Sequence, residues 1–584
     1  MGAFFRTLLA VIIGFFLTFF IIFLILAGIA SGTKKKVFVK DNSVLELNLN
    51  LPIPERPVDN PLKDISFLND EFKIPLSLKE ILDDIKYAKE DPKIKGIYLE
   101  TEMMSAGLST VNEIRNALID FKKSGKFIYA YGELYTQKNY YLASVADSIF
   151  VNPNGLFDFA GFHSEQMFLK GTLDKLEIKP ILIREGKYKS AGEMFTETSM
   201  SDANRKQVTD FMNSFYAYYL ARIDSSRHVP AAQLRAIADS LLIKFPSDAV
   251  RLKLADKLAY KDHVLAALRN KLGVKTDKDI NKISLNDYNE AEHPAKHSGG
   301  NRIALIYAAG EIGGGEGSEK AIGSEKLSAS IREAAADDDV KAIVLRVNSP
   351  GGSALASDVI WREVVLAKKK KPVIASFGDV AASGGYYIAA PADYIFAEPT
   401  SITGSIGVFG LLANLQDFWK DKLGITWDRV KTSKYADVGN PNRAMTDEEK
   451  GIIQMLIDST YKSFKNRVAT GRHLKPEFVD SIAQGHVYSG IQAKELGLVD
   501  AMGSLDDAIA MAAKKANLTT YGIRIMPEFS NNIFKAFNRM NMMNSEAEIE
   551  NQIGSENYVL LKKAASIKDM NGILMYYPFD VNIH

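Results

Sequence analysis

Three short loops in the second half of the chain carry groups whose types and spacing could do chemistry. The first is N-S-P-G-G (348–352), set between the apolar run KAIVLRV and a helical pattern. Two glycines at a strand-to-helix turn let backbone N–H groups face outward at a helix N-terminus, where developing negative charge is favoured. Taken alone, the pentapeptide reads more readily as a plain glycine turn. The second loop, G-D-V-A-A-S-G-G-Y-Y (378–387), sets Ser383 among small residues, as in an exposed loop where a carbonyl carbon has room to reach its Oγ. Gly384 N–H is a further candidate donor there. The third, T-G-S-I-G-V (403–408), adds Ser405, whose hydroxyl could hydrogen-bond a catalytic amine. Ser383 follows Gly351 by 32 residues in a matching strand-to-helix position, so the two loops together describe a nucleophile beside an oxyanion hole.

A serine nucleophile needs a base, and histidine is the usual one. The histidines are His163, His228, His263, His293, His297, His473, His486 and His584, and none lies in the three loops. His486, in A-Q-G-H-V-Y-S-G, has the most suggestive setting and reads as structural. A serine–lysine pair is then the better expectation.

The elements that must position these loops alternate between two periods. RIALIYAA (302–309), KAIVLRV (341–347) and PVIASF (372–377) are nearly continuous apolar runs, as in strands buried on both faces. Residues 325–338 and 354–371 between them read as amphipathic helices, which predicts an α/β fold with a parallel sheet. The pattern occurs twice. Residues 94–150 align without a gap on 340–396 at a constant offset of 246, with Tyr140 against Tyr386 and Asp147 against Asp393. MSDANR at 200 resembles MTDEEK at 445, so the similarity continues past the gapless stretch. The chain therefore reads as a tandem duplication: a first copy over 37–290, a polar linker over 291–301, a second copy over 302–525, and a tail over 526–584 to which no role is assigned.

The three motifs N-S-P-G-G, A-A-S-G-G-Y-Y-I-A and T-G-S-I-G-V-F-G, in that order, resemble the serine peptidase family of bacterial signal peptide peptidases, a family related in fold to the Clp protease subunit and the crotonases. The resemblance covers roughly residues 40–525. It implies Ser383 as nucleophile, Gly351, Gly352 and Gly384 as oxyanion donors, and Ser405 as the residue that orients the base. G-K-Y-K-S-A-G-E-M-F (186–195) resembles the segment that carries the base lysine in the long, duplicated members, which implies Lys189. The copies are complementary: Ala436 stands opposite Lys189, Gln137 opposite Ser383, and Ser105 and Ala106 opposite Gly351 and Gly352. A site built across the two copies follows. The resemblance further implies cleavage of signal peptides and other unfolded or hydrophobic peptides, a homotetramer enclosing a cavity, and no cofactor.

Leu8 to Ala30 is an uncharged run of 23 residues, long enough to span a bilayer as one N-terminal transmembrane helix after a flank of residues 1–7. Arg6 precedes it, whereas Lys34, Lys35, Lys36 and Lys40 follow, a bias that would keep the large domain cytoplasmic. The resemblance implies the opposite: a single-pass inner-membrane protein with an extracytoplasmic, periplasmic catalytic domain. A net charge of +1 gives no electrostatic reason to expect nucleic acid, and the absence of cysteine excludes disulfides and thiolate chemistry. Two rival readings are a crotonase-type acyl-CoA enzyme, which makes no use of Lys189 or the anchor, and a catalytically inactive membrane scaffold, whose sign would be loss of Ser383 or Lys189.

Overall fold

The computed structural model describes residues 37–58, 75–293, 300–528 and 572–576, with positions 2, 6, 13–18, 20 and 21 near the N-terminus. Residues 13–18, 20 and 21 are helical. Among the described residues no helix is long and apolar enough to cross a membrane, and most of the expected anchor lies outside them.

The first copy contributes β1 (Ser43–Leu47), β2 (Ile94–Leu99), β3 (Phe127–Tyr135) and β4 (Ser148–Phe157) to one sheet. The chain then leaves it for β5 (Lys179–Glu185) before returning with β6 (Lys257–Leu258) and β7 (Asn281–Ser284). The order is β6-β4-β3-β2-β1-β7, with every neighbouring pair parallel. The second copy runs through β8 (Arg302–Ala309), β9 (Glu311–Gly313), β10 (Gly317–Ser318), β11 (Ala321–Gly323), β12 (Val340–Ser349), β13 (Gly351–Ser353) and β14 (Val373–Ala382). It continues with β15 (Tyr394–Ala397), β16 (Ile402–Gly404), β17 (Val408–Asn414), β18 (Val487–Ser489), β19 (Ala501–Met502) and β20 (Gly522–Met526), and β21 (Gly572–Tyr576) lies in the tail. Its parallel strands follow the order β19-β15-β14-β12-β8-β20, the counterpart of the first sheet strand for strand.

The duplication is equally plain in the longest helices, Asp202–Arg227 and Asp447–Arg472, each of 26 residues. Ser201 and Thr446 cap their N-termini, and His228 and His473 close them in left-handed conformation at φ 54° and 55°. Central strands are buried on both faces; Ile303, Leu305 and Ile306 of β8 have no exposed surface. Each such side chain contributes roughly 1.5–3 kcal/mol of burial.

A third sheet, β10-β11-β9-β13-β21-β17-β5, joins the copies. Within it β5 of the first copy runs antiparallel to β17 of the second, from Lys179 opposite Asn414 to Glu185 opposite Val408. Polar contacts reinforce the junction. Helix Leu108–Lys122 begins at Gly107, which has no side chain to cap it, and Asp379 of the second copy accepts from Ser109 N (2.9 Å), Thr110 N (3.1 Å) and Thr110 Oγ1 (2.7 Å) instead. Arg346, fully buried on β12, reaches across to Glu113 at 2.7 Å and Glu55 at 2.9 Å.

Candidate active site

Ser383 sits where β14 turns into the helix Gly384–Ala389. Its backbone adopts φ 54° and ψ −116°, a combination costly for a residue with a Cβ and found where a reactive side chain must be presented. Two hydrogen bonds hold it there: Ser383 N donates to Gly404 O at 2.9 Å, and Tyr387 N donates to Ser383 O at 2.9 Å. The following positions admit only glycine, because a Cβ on Gly384 would lie 2.6 Å from Ser357 Oγ and one on Gly385 2.6 Å from Ser349 O. The exposed loop expected for Ser383 is not what forms: the residue has no exposed surface. Lys189 and the loop 403–407 pack against it.

Lys189 follows β5 by four residues, and Ser405 precedes β17 by three, so the antiparallel register of those strands brings the two loops together. Lys189 Nζ lies 2.8 Å from Ser383 Oγ and 2.9 Å from Ser405 Oγ, with Ser405 O at 3.2 Å. Only 1% of the lysine is exposed, and burial alone holds its pKa well below the ordinary lysine value. An unshifted lysine would be neutral in only about one molecule in 2,500 at pH 7, a penalty of ~4.6 kcal/mol. Lys187, two residues earlier, is exposed and lies over the ring of Tyr188. Ala436 is exposed in a turn of the second copy.

The N-S-P-G-G turn approaches Ser383 from the other side. Gly351 and Gly352 adopt φ 100° and 149°, and neither has room for a side chain: a Cβ on Gly351 would lie 2.7 Å from Gly384 N, and one on Gly352 2.1 Å from Ile312 O. Gly351 N donates to Ser349 Oγ at 3.2 Å. All six residues singled out in the sequence thus meet in one place, within a single chain. A cavity of about 810 Å³ opens alongside, lined in part by Ile312, Leu355 and Arg467.

The model of peptidase family S49 matches residues 120–275 and again 366–519, one match in each copy. The chain belongs to peptidase family S49. It is similar to Protease 4 of Salmonella typhi, at 40% identity over 455 residues covering 76% of this chain and 72% of that one. Protease 4 of Haemophilus influenzae is 34% identical over 86% of this chain and 84% of its own. The chloroplastic serine protease SPPA of Arabidopsis thaliana is 33% identical over 82% and 70%. This S49 chain is a serine protease, and the acyl-CoA and scaffold readings fall away.

In this S49 chain the segment A-Q-G-H-V-Y-S-G (483–490) proves closer to the site than its sequence suggested. Tyr188 N donates to Gln484 O at 2.8 Å, Gly485 N to Ile406 O at 2.8 Å, and Ser405 N to His486 O at 2.7 Å. Gly485, at φ 75°, has no space: a Cβ there would stand 2.6 Å from Lys189 N and 2.7 Å from Lys189 Cβ. The His486 ring stacks on Tyr488 and meets Tyr188 edge-on, both at 4.4 Å, and burial lowers its pKa. Gln207, on the long helix of the first copy, donates to Tyr188 O at 3.0 Å and accepts from Val487 N at 3.2 Å. The one local signal for this cradle was a glycine beside the histidine.

Proposed function

We propose that the chain is a membrane-anchored serine endopeptidase that uses a Ser383–Lys189 dyad to degrade cleaved signal peptides at the membrane. The observation that carries the dyad is the 2.8 Å contact between Lys189 Nζ and Ser383 Oγ, made by a lysine whose burial holds its pKa well below the ordinary lysine value. Neutral Lys189 takes the Ser383 proton as Oγ attacks a peptide carbonyl, then returns it to the leaving amine; water enters by the same base to hydrolyse the acyl-enzyme. Ser405 accepts from Nζ and fixes its direction. The backbone amides of Gly351, Gly352 and Gly384 are assigned to the developing oxyanion.

The anchor is residues 8–30, and the catalytic domain lies on the extracytoplasmic side of the inner membrane, in a homotetramer that admits extended peptides and keeps folded proteins out. Support for this comes from the length of the apolar run and the family membership. Treatment of the full chain with a mechanism-based serine probe, followed by mass spectrometry of the modified peptide, tests the nucleophile: label is expected on Ser383, and label elsewhere or none refutes it. Protease digestion of intact spheroplasts tests the topology, with protection of the domain beyond residue 40 as the contrary result.

A further inference from the structure

One side chain grips the lysine segment on both flanks and ties it to the other copy. Gln207, in the second turn of helix Asp202–Arg227, has no exposed surface. Its Nε2 donates to Tyr188 O at 3.0 Å and to Ser190 Oγ at 3.1 Å, the residues on either side of Lys189. Its Oε1 accepts from Val487 N at 3.2 Å, on β18 of the second copy and two residues beyond Gly485. Tyr188 O can only accept and Val487 N can only donate, so an amide fits between them where a carboxylate or an apolar side chain does not. The bond that Gln207 makes within its own helix, to Asn204 Oδ1, is longer than these at 3.3 Å. Ser214, two turns further along, meets β18 again, with its Oγ 2.8 Å from Ser489 Oγ.

The lysine's own carbonyl is held from within the first copy, where Arg184 Nη1 donates to Lys189 O at 3.1 Å and to Glu193 Oε1 at 3.0 Å. Gln207 adds the link across the junction. The two copies differ at this position. Both long helices open on a capping hydroxyl, Ser201 and Thr446, and close on His228 and His473, a constant offset of 245 that sets Ile452 opposite Gln207. The second copy therefore has Ala436 for the lysine and Ile452 for the glutamine. Where the base is missing, the amide that would hold it is missing too. Packing of this helix against its sheet does not by itself call for an amide, since the second copy packs the same helix without one.

We infer that Gln207 is a positioning residue of the active site: by holding Tyr188 and Ser190 against β18 it fixes the backbone of Lys189, and with it the reach of Nζ to Ser383. The inference rests on the Ser383–Lys189 reading. A shift of the segment would carry Nζ away from Ser383 Oγ and Ser405 Oγ together, and would admit water to a lysine that is 1% exposed. Burial is what lowers the pKa of this lysine, and hydration favours the charged amine, so a loosened segment moves that pKa back toward the ordinary value. Gln207 acts through the lysine rather than on the reacting atoms.

Steady-state kinetics of the full chain in mild detergent, on a fluorogenic peptide over a range of pH, would compare wild type, Gln207→Met, Lys189→Ala and the double variant. Gln207→Met keeps the length of the side chain and removes both donor and acceptor. It is expected to lower kcat about 10–100-fold with KM within about twofold, the scale of a misplacement on the order of 1 Å. Its activity is expected to rise at a higher pH than that of the wild type, a shift that lost stability alone would not produce. In the Lys189→Ala background the same substitution is expected to cost nothing further, because its effect runs through an amine no longer present. Gln207→Asn, whose shorter amide cannot reach both segments, is the milder variant and is expected to shift the pH profile the same way, with circular dichroism confirming that each variant folds. A folded Gln207 variant with wild-type kcat and pH profile, or one whose loss adds in full to that of Lys189→Ala, overturns the positioning role while leaving the dyad intact. Full activity in Lys189→Ala refutes the dyad, and the positioning role with it.

Discussion

Lys189 Nζ stands 2.8 Å from Ser383 Oγ although 194 residues of chain separate them, and the two come from different copies of the duplicated unit. Neither copy holds both partners, since Gln137 occupies the register of Ser383 and Ala436 that of Lys189. The contact depends on β5 crossing to pair with β17, which places the lysine of one copy over the serine of the other.

If the two residues act as a unit, their losses do not add. Lys189→Ala and Ser383→Ala are each expected to lower kcat by about 10²–10⁴-fold or more, and the double variant to be little worse than either. Lys187→Ala, at an exposed position, is expected to change kcat by less than about twofold, the usual range for surface substitutions. Steady-state kinetics on a fluorogenic peptide, with circular dichroism to confirm folding, distinguish these outcomes; full activity in Lys189→Ala would remove the lysine from the mechanism.

Burial of Lys189 fixes the sign of two pH dependences. Activity is expected to rise with pH through the depressed lysine pKa and to persist into alkaline solution, because in the proposed dyad the neutral amine is the active form. Stability follows by linkage: the unfolded chain binds a proton that the folded chain excludes, so between the depressed pKa and about 10.4 stability increases with pH, by up to ~1.36 kcal/mol per unit. Lys189→Met is therefore expected to melt above the wild type at pH 7, with the gap narrowing as pH rises. A constant gap across pH 6–10 would mean that the lysine is charged in the folded protein.

Gly485 is expected to matter as much as a residue that touches substrate, though it acts only by positioning. A Cβ there would stand 2.6 Å from Lys189 N, and the φ of 75° disfavours any side chain, so Gly485→Ala must displace Lys189. A misplacement on the order of 1 Å costs about 10²-fold, in kcat rather than KM. An unchanged kcat, or a change confined to KM, would show that the cradle does not set the position of Lys189.

The junction between copies carries its own prediction. Arg346 bonds both Glu55 and Glu113 with no exposed surface, and removing one partner of a buried pair leaves the others uncompensated. Arg346→Ala is expected to cost about 3–5 kcal/mol and to lower the melting temperature. Lysine at this position, lacking the planar fork, is expected to recover only part of it. A melting temperature within a degree of wild type would contradict a structural role for the network.

Much of this protein was legible in the sequence because it is written locally. The gapless register of 94–150 on 340–396 reappears as a six-stranded parallel sheet in the first copy and six parallel strands of matching order within the eight-stranded sheet of the second, since period and turn chemistry act within about ten residues. Ser383, Gly384 and Ser405 stood out for the same reason, each lying in a short loop of small residues after a buried strand. Lys189 carried no such mark; it emerged only through resemblance and through what the second copy lacks. Tertiary structure alone decided the rest. Asp379 caps a helix 270 residues away, Gly485 leaves space for a lysine of the other copy, and β21 enters the sheet beside the glycine turn. Edge pairing and close approach between distant segments impose no period on either partner, so a cap, a missing Cβ or an inserted strand becomes readable only when the segments meet.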